Sequence, residues 1–260
     1  MGRRTIAELC KDLNLSYPTL IKEFDSLDEI KEGFQEDALP YLAPAINLQI
    51  DATFFGREYG FLVAHNGDRV IYLKEIKTES VQSFREAIIA IKDRCRIISI
   101  TIDGRRGYIN NIRKLLGNIP IQMCLFHQKA IIRRYITDRP RTQCGMELKQ
   151  LMKLLCKLES QQEFIDRFYR LKEKYHSFLH ERHEQKYKHT GLRSAFRSLD
   201  QNMMYLFTYT DYKDLNIKPT TNHLEGLFGH VKERIKIHRG LDVKRKKKAV
   251  KFLLKNLGKK

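Results

Sequence analysis

INLQIDATFFGREYGFLVAHNGDRVIYLKEI, residues 46–76, decides the fold. It holds three β-rich runs parted by Gly- and Asn-containing turns. Val, Ile, Phe and Tyr fill the runs, and the residues between them tolerate sharp reversals, so the segment reads as an antiparallel meander. One residue sits badly in it. Asp51 is a poor strand former, and a carboxylate buried without partners costs several kcal/mol or is driven to protonate. A bulge or a strand end would explain it, and so would a neighbouring positive charge.

Downstream, 79–95 (ESVQSFREAIIAIKDRC) carries Val81, Phe84, Ala87, Ile88 and Ile91 at helical spacing. RIISITIDG (96–104) is a continuously apolar strand, hence central and covered on both faces. YINNIRKLLG reads as a helix, IPIQMCLFH as a fifth strand and QKAIIRRYI as a helix. The order β-β-β-α-β-α-β makes an α/β protein with a mixed five-stranded sheet.

The flanks are helical. In the N-terminal segment 1–36, Ile6, Leu9 and Cys10 form one apolar stripe and Leu20, Ile21 and Phe24 another, with a turn around Asn14, Ser16 as N-cap and Pro18 in the first turn. That is helix-turn-helix-like spacing, suited to a DNA major groove or to an ordinary helical hairpin. Residues 37–45 (DALPYLAPA) read as a linker, 46–139 as the first part of the core, and 140–212 as an all-helical insertion of three helices. Its leucines are Leu148, Leu151, Leu154, Leu155 and Leu158. Residues 213–240 hold a final helix after Pro219, and 241–260 form a basic tail.

The chain of 260 residues carries 49 Lys+Arg against 31 Asp+Glu, a formal charge of +18, which points to a polyanionic partner, nucleic acid before an anionic membrane. No apolar run reaches the roughly 18 residues that cross a bilayer, and the N-terminus has no signal-peptide core. Five scattered cysteines argue for a reducing cytoplasm and against a disulfide framework. Nucleotide-binding glycine loops are absent from the sequence.

Asp51 on the first strand and Asp103 at the end of the fourth fall on strands that this order makes neighbours. Two carboxylates so placed repel unless a cation lies between them, and a divalent metal such as Mg²⁺ meets that need. Asp103-Gly104 is also a common turn dipeptide, although a helix follows it and not a returning strand. Glu225 is the third candidate. It flanks the stripe Leu224, Leu227, Phe228, Val231, Ile235, where a capping box with Asn222 is the local alternative. Gly226 and Gly229 each cost such a helix about 1 kcal/mol, which marks a place where a backbone or ligand comes close. Arg105, Arg106 and Arg113 follow Asp103; Lys232, Arg234, Lys236 and Arg239 follow Glu225; Lys244 to Lys248 lie in the tail. They are candidate phosphate contacts or a solvated face. His176, His180 and His183 share a helical face with no fourth ligand in view.

DATF on the first strand, DG after the fourth, CLFH on the fifth and TTNHLEGLFGHVKERIKIHRGL downstream resemble, in that order, the DDE transposases of bacterial insertion sequences. The nearest group is the one with a CxxH motif, related to Mutator-like (MULE) elements. The resemblance covers about 46–240. It implies an RNase H-like fold with a helical insertion before the last catalytic helix, and a catalytic triad of Asp51, Asp103 and Glu225 holding two Mg²⁺ (or Mn²⁺) ions. Cys124 and His127 match the CxxH; His127 is expected at the scissile phosphate or an unpaired base, Cys124 in the packing. Arg105, Arg106, Asn222, Lys232 and Arg239 are the expected DNA contacts. The implied partners are terminal inverted repeats and target DNA, bound by a homodimer or higher oligomer in a cytoplasmic, nucleoid-associated setting. A catalytically inactive or domesticated DNA-binding protein and a structure-selective nuclease on the same fold are the competing readings.

Overall fold

The computed structural model describes residues 4–104, 106–156, 161–238 and 240–258. In chain order the elements are α1 (Ile6–Leu13), α2 (Tyr17–Ser26), β1 (Gly33–Phe34), β2 (Ala45–Phe55), β3 (Tyr59–His65), β4 (Val70–Ile76), α3 (Val81–Lys92), β5 (Arg96–Ile102), α4 (Arg106–Leu116), β6 (Ile121–Met123) and α5 (Leu125–Ile136). Then come α6 (Gln143–Leu154), α7 (Gln161–Lys174), α8 (His176–His180), β7 (Arg182–His183), β8 (Lys186–Tyr187), α9 (Thr190–Leu206), α10 (Thr208–Asp211), α11 (Asn222–Ile237) and α12 (Val243–Leu257). Short 3-10 helices occupy Glu36–Tyr41 and Lys213–Leu215.

The main sheet is mixed and has six strands, ordered β1-β4-β3-β2-β5-β6. The expected count was five. The sixth is β1, whose two residues pair antiparallel with Leu73 and Tyr72 and are too few to show a period in sequence. The chain falls into two compact units, Met1–Ile97 with Asn222–Lys260, and Ile98–Thr221.

In the first unit the meander forms as read: β2, β3 and β4 pair antiparallel in sequence order. Strand alternation sends Leu48 and Ile50 of β2 to one face and Gln49, Asp51 and Thr53 to the other. The register Asp51↔Val63↔Leu73 and Thr53↔Phe61 defines the second face. There Phe61, Val63 and Leu73 share one core with Leu224, Leu227, Phe228, Val231 and Ile235 of α11 and Val250, Leu253 and Leu254 of α12. Each large apolar side chain so covered contributes about 1.5–3 kcal/mol. On α3, Phe84, Ala87, Ile88 and Ile91 are buried, while Val81 is 41% exposed. Val81 was expected with them, but it is the first residue after the Ser80 cap, ahead of the packed turns.

The basic tail is a helix. Asp242 caps it, accepting the Arg245 N–H at 2.8 Å, and its apolar residues at i, i+3 and i+4 enter the core. Lys247, Lys251 and Lys255 recur every four residues and pair with Glu75, Glu32 and Asp37 at 2.6, 2.8 and 2.9 Å. Arg245 holds Asp25 of α2 through two bonds of 2.9 and 2.6 Å. Of Lys244 to Lys248, the candidate phosphate contacts of the tail, Arg245 and Lys247 are thus engaged in ion pairs within the protein. At the N-terminus Thr5 and Glu8 form a capping box, Asn14 takes a left-handed conformation and Ser16 caps α2.

In the second unit β5 and β6 pair parallel. The outer edge of β6 is sealed: Gln122 donates to the Leu206 carbonyl and accepts the Tyr209 N–H, and Thr208 donates to the Ile121 carbonyl. Phe164, Phe168, Leu148, Phe196 and Leu199 centre the helical core. Three helices and no strand were expected over 140–212; the chain forms α6 to α10 and the β7–β8 ribbon. Glu181 leaves the helix with ψ 134°, and Glu184, with a positive φ of 53°, turns the chain between β7 and β8. His183 therefore leaves the helix that holds His176 and His180, whose rings lie 4.2 Å apart. Leu158 lies outside the described residues.

Candidate functional site

Asp51 is in mid-strand, paired on both sides of the residue, and the irregularity of the meander falls instead at Ala64/His65. The bulge and strand-end explanations do not apply to it. It is buried to 9% exposure, and its Oδ1 accepts the Ala52 N–H at 2.8 Å. Its same-face neighbours Gln49 and Thr53 are 3% and 2% exposed. Gln49 Oε1 and Thr53 Oγ1 have no hydrogen-bond partner among the described residues. Polar oxygens stranded in this way are unusual in a native core. They flank the carboxylate as a row of hard donors, the kind Mg²⁺ and Mn²⁺ accept.

α11 crosses that face, and its N-terminal end is located by an aromatic contact. His223 packs on His65 with ring centroids 4.7 Å apart, and His65 stands opposite Gln49, one side chain along from Asp51 on the same face. His65 is wholly buried, and its Nδ1 accepts the Gly67 N–H at 2.9 Å. Nε2 therefore carries the proton and donates to the Gly258 carbonyl, also at 2.9 Å. Glu225 lies in the first turn of α11, where a carboxylate is favoured by the exposed N–H groups. Asn222 is already helical, so the cap position falls at Thr221 and Glu225 is one place too far along for the capping box that was the local alternative. At Gly226 and Gly229 an added Cβ would meet nothing within 4 Å. Among the described residues, no neighbouring element approaches either glycine closely enough to require it.

In the second unit, Asp103 and Cys124 directly follow the last register pair of the parallel strands, Ile102↔Met123. Gly104 makes the turn, with φ 84° and the Met123 side chain where a Cβ would go. That geometry accounts for the glycine and makes no demand on Asp103. β6 stops at Met123, earlier than expected: the Cys124 N–H makes the last ladder bond, to the Ile102 carbonyl, and the Leu125 N–H then turns to the Pro219 carbonyl. CLFH thus opens α5 and does not end a strand, and His127 falls in its first turn. Cys124 is 0% exposed, and both the N–H and the hydroxyl of Thr221 point to its sulfur at 3.3 Å. Burial alone pushes the thiol up, but hydrogen bonds from His127 and Thr221 outweigh it and hold Cys124 below its usual range.

Of the expected DNA contacts, Lys232 and Asn222 are exposed. Arg105 and Arg239, and the side chain of Arg106, lie outside the described residues. Arg113 is engaged structurally, donating to the Ile119 carbonyl at 3.0 Å. The five cysteines are free thiols. Among the described residues no helix is long and apolar enough to cross a membrane. Sequence reasoning missed Gln49, Thr53, His65, His223 and Thr221. The first two were visible as period-two partners of Asp51, whereas the others depend on tertiary contacts that leave no local signal.

No protein-family profile matches the chain, and no curated protein sequence matches it. Among solved structures, the Drosophila P element transposase strand transfer complex is similar, with 10% sequence identity and a TM-score of 0.49 over 92% of this chain and 84% of that chain.

Proposed function

We propose that the protein is a DDE transposase, cutting DNA at element ends and joining it to a target. The observation that carries the reading is the placement of Asp51: a buried carboxylate in mid-strand, flanked by stranded oxygens, on the sheet face covered by the helix that bears Glu225. Asp51, Asp103 and Glu225 are the carboxylates that would hold two Mg²⁺ or Mn²⁺ ions, and the hard oxygen donors around Asp51 suit such cations. When bound, the ions would polarise the scissile phosphate and make water or a 3′-hydroxyl a better nucleophile.

The chain's own residues supply the rest. Asp51 is held rigidly by its ladder and by the Ala52 N–H, which fixes one oxygen and leaves little freedom to the carboxylate. His127, in the first turn of α5, is suited to donate a hydrogen bond to a phosphate oxygen. Lys232 and the other exposed cations neutralise the DNA backbone, each phosphate adding about 0.9 to the log–log salt slope. Exchange of one phosphodiester for another is close to energy-neutral, so no nucleotide-hydrolysing loop is needed. The test is Mg²⁺- or Mn²⁺-dependent nicking of supercoiled plasmid and joining of labelled duplexes by wild type, Asp51→Asn and Glu225→Gln. Activity equal in all three removes the assignment.

A further inference from the structure

The two apolar stripes of the N-terminal hairpin do not close on the core. Ile6, Leu9 and Cys10 of α1 and Leu20, Ile21 and Phe24 of α2 are only partly buried, and neither helix holds a fully buried residue. Between these stripes and α11 and α12, within the same unit, lies a cavity of about 120 Å³. Ile6, Leu9, Leu20, Ile21 and Phe24 form one wall; Ile235, Leu241, Ala249 and Leu253 form the other. The hairpin is anchored beside this space: besides the Arg245 fork on Asp25, Lys248 of α12 donates to the Asp25 carbonyl at 2.8 Å.

The polar groups at the cavity are Arg4, Arg234 and His238, and no carboxylate lines it. Arg4 pairs with Asp12 at 2.6 Å, but both side chains are well solvated, so the pair takes little from the local positive charge. Arg234 has no ion-pair or hydrogen-bond partner among the described residues. His238 Nδ1 is closed to solvent and is likewise without a partner among them. Burial holds this imidazole below the usual histidine range, so near neutral pH the ring is uncharged and the positive charge comes from the two guanidiniums. A stranded ring nitrogen is a cost to the fold that a bound polar group would remove.

The combination is selective. An engineered apolar cavity of about 150 Å³ takes one benzene ring, so this space suits a single ring or a short branched chain and is too small for a long acyl chain. A guanidinium fork matches a carboxylate through two parallel hydrogen bonds. Imidazole Nδ1, in the tautomer that protonates it, supplies one more donor. An inorganic anion would leave the apolar walls uncovered, and a neutral hydrocarbon would leave Arg234 and His238 unanswered. We infer that the cavity between the N-terminal hairpin and α11–α12 binds a small aromatic or branched monocarboxylate, its apolar body between Phe24 and Leu253 and its carboxylate on Arg234 and His238. The site shares no residue with the carboxylates of the proposed reaction, so it stands whether or not that reaction does. An occupant joins the hairpin to the helix that carries Glu225 and stabilises the folded chain by mass action.

The test uses the full chain and 4-fluorophenylacetate, followed by its fluorine NMR signal. Saturable binding is expected with a Kd on the order of 0.1–1 mM, within the limits for a ligand of about eleven heavy atoms. At tenfold excess over Kd the melting temperature should rise by roughly 2–4 °C. The uncharged 4-fluorophenylacetamide should bind about tenfold more weakly, and so should the acid to Arg234→Gln. Ala249→Leu, which fills the cavity from α12, should abolish binding while the melting temperature holds or rises. The His238 imidazole resonances, assigned by comparison with His238→Gln, should shift on saturation. Equal affinity for acid and amide, binding unchanged in Ala249→Leu, or an unmoved His238 signal overturns the assignment. So does a lack of saturation by about 10 mM, tenfold above the weakest expected Kd. Should Ala249→Leu melt below wild type, Arg234→Gln and the His238 signal decide alone. Dimerisation of wild type that Ala249→Leu removes would show the cavity taken by a second copy and would overturn the carboxylate assignment.

Discussion

Asp51 stands directly opposite Val63 in the β2–β3 ladder, so its carboxylate leaves the sheet on the side where Val63 is buried with Leu224 of α11. A charge in that position is a burden on the fold unless a ligand or partner uses it.

Asp51→Asn should therefore separate activity from stability. Metal-dependent cleavage is expected to fall by more than about a hundredfold, while the melting temperature stays level or rises, since a buried charge is replaced by a neutral isostere. Plasmid nicking and thermal denaturation on the same preparation give both numbers. A fall in both together would make Asp51 a structural residue.

Glu225→Gln probes the helix terminus. Were Glu225 only a capping group, its substitution would lower stability by about 1 kcal/mol and leave DNA processing untouched. The position of Asn222 inside the helix argues otherwise, and the expected result is loss of cleavage with a stability change below that figure, read by urea denaturation.

Cys124→Ala should destabilise the protein by about 1–3 kcal/mol, because the N–H and hydroxyl of Thr221 lose their common acceptor in a buried place. In the wild type, alkylation followed by mass spectrometry should label exposed Cys156 early and fully buried Cys124 last. Equal labelling of the two would contradict the packing.

The ion-pair row of α12 gives a pH dependence of definite sign. Burial pushes the Glu32 carboxyl up, but the Lys251 ammonium and the Glu75 N–H pull it down by more, so it lies below the usual glutamate range. A carboxylate lowered in the folded state stabilises fully above its unfolded value, about 4.3, and loses that contribution as pH falls through the folded value. Glu32 is 36% exposed, so the amount is no more than about 1 kcal/mol. Urea midpoints measured between neutral and strongly acidic pH should fall less steeply in Lys251→Ala than in wild type.

The meander and its carboxylate were legible because apolar runs with turn residues between them have few other solutions, and a lone Asp stands out against that background. The glutamate helix was legible from its stripe of Leu224, Leu227, Phe228, Val231 and Ile235, all of which are buried. What failed had distant causes. The end of β6 at Met123 is set by Pro219, far along the chain. α12 was hidden behind its lysines, whose acidic partners Glu75, Glu32 and Asp37 lie near the other end of the sequence. β1 is only two residues long, below the reach of any periodic signal.

The first unit draws its sheet strands from residues before 98, but the cover of one sheet face, eight buried side chains of α11 and α12, from residues after 221. During synthesis, Phe61, Val63 and Leu73 emerge long before the helices that cover them, and wait naked while the whole second unit is made. A nascent chain in that interval presents a sticky sheet face to chaperones, and any product halted before α11 keeps it. The face is fully covered only once α11, which carries Glu225, and then α12 have both been made.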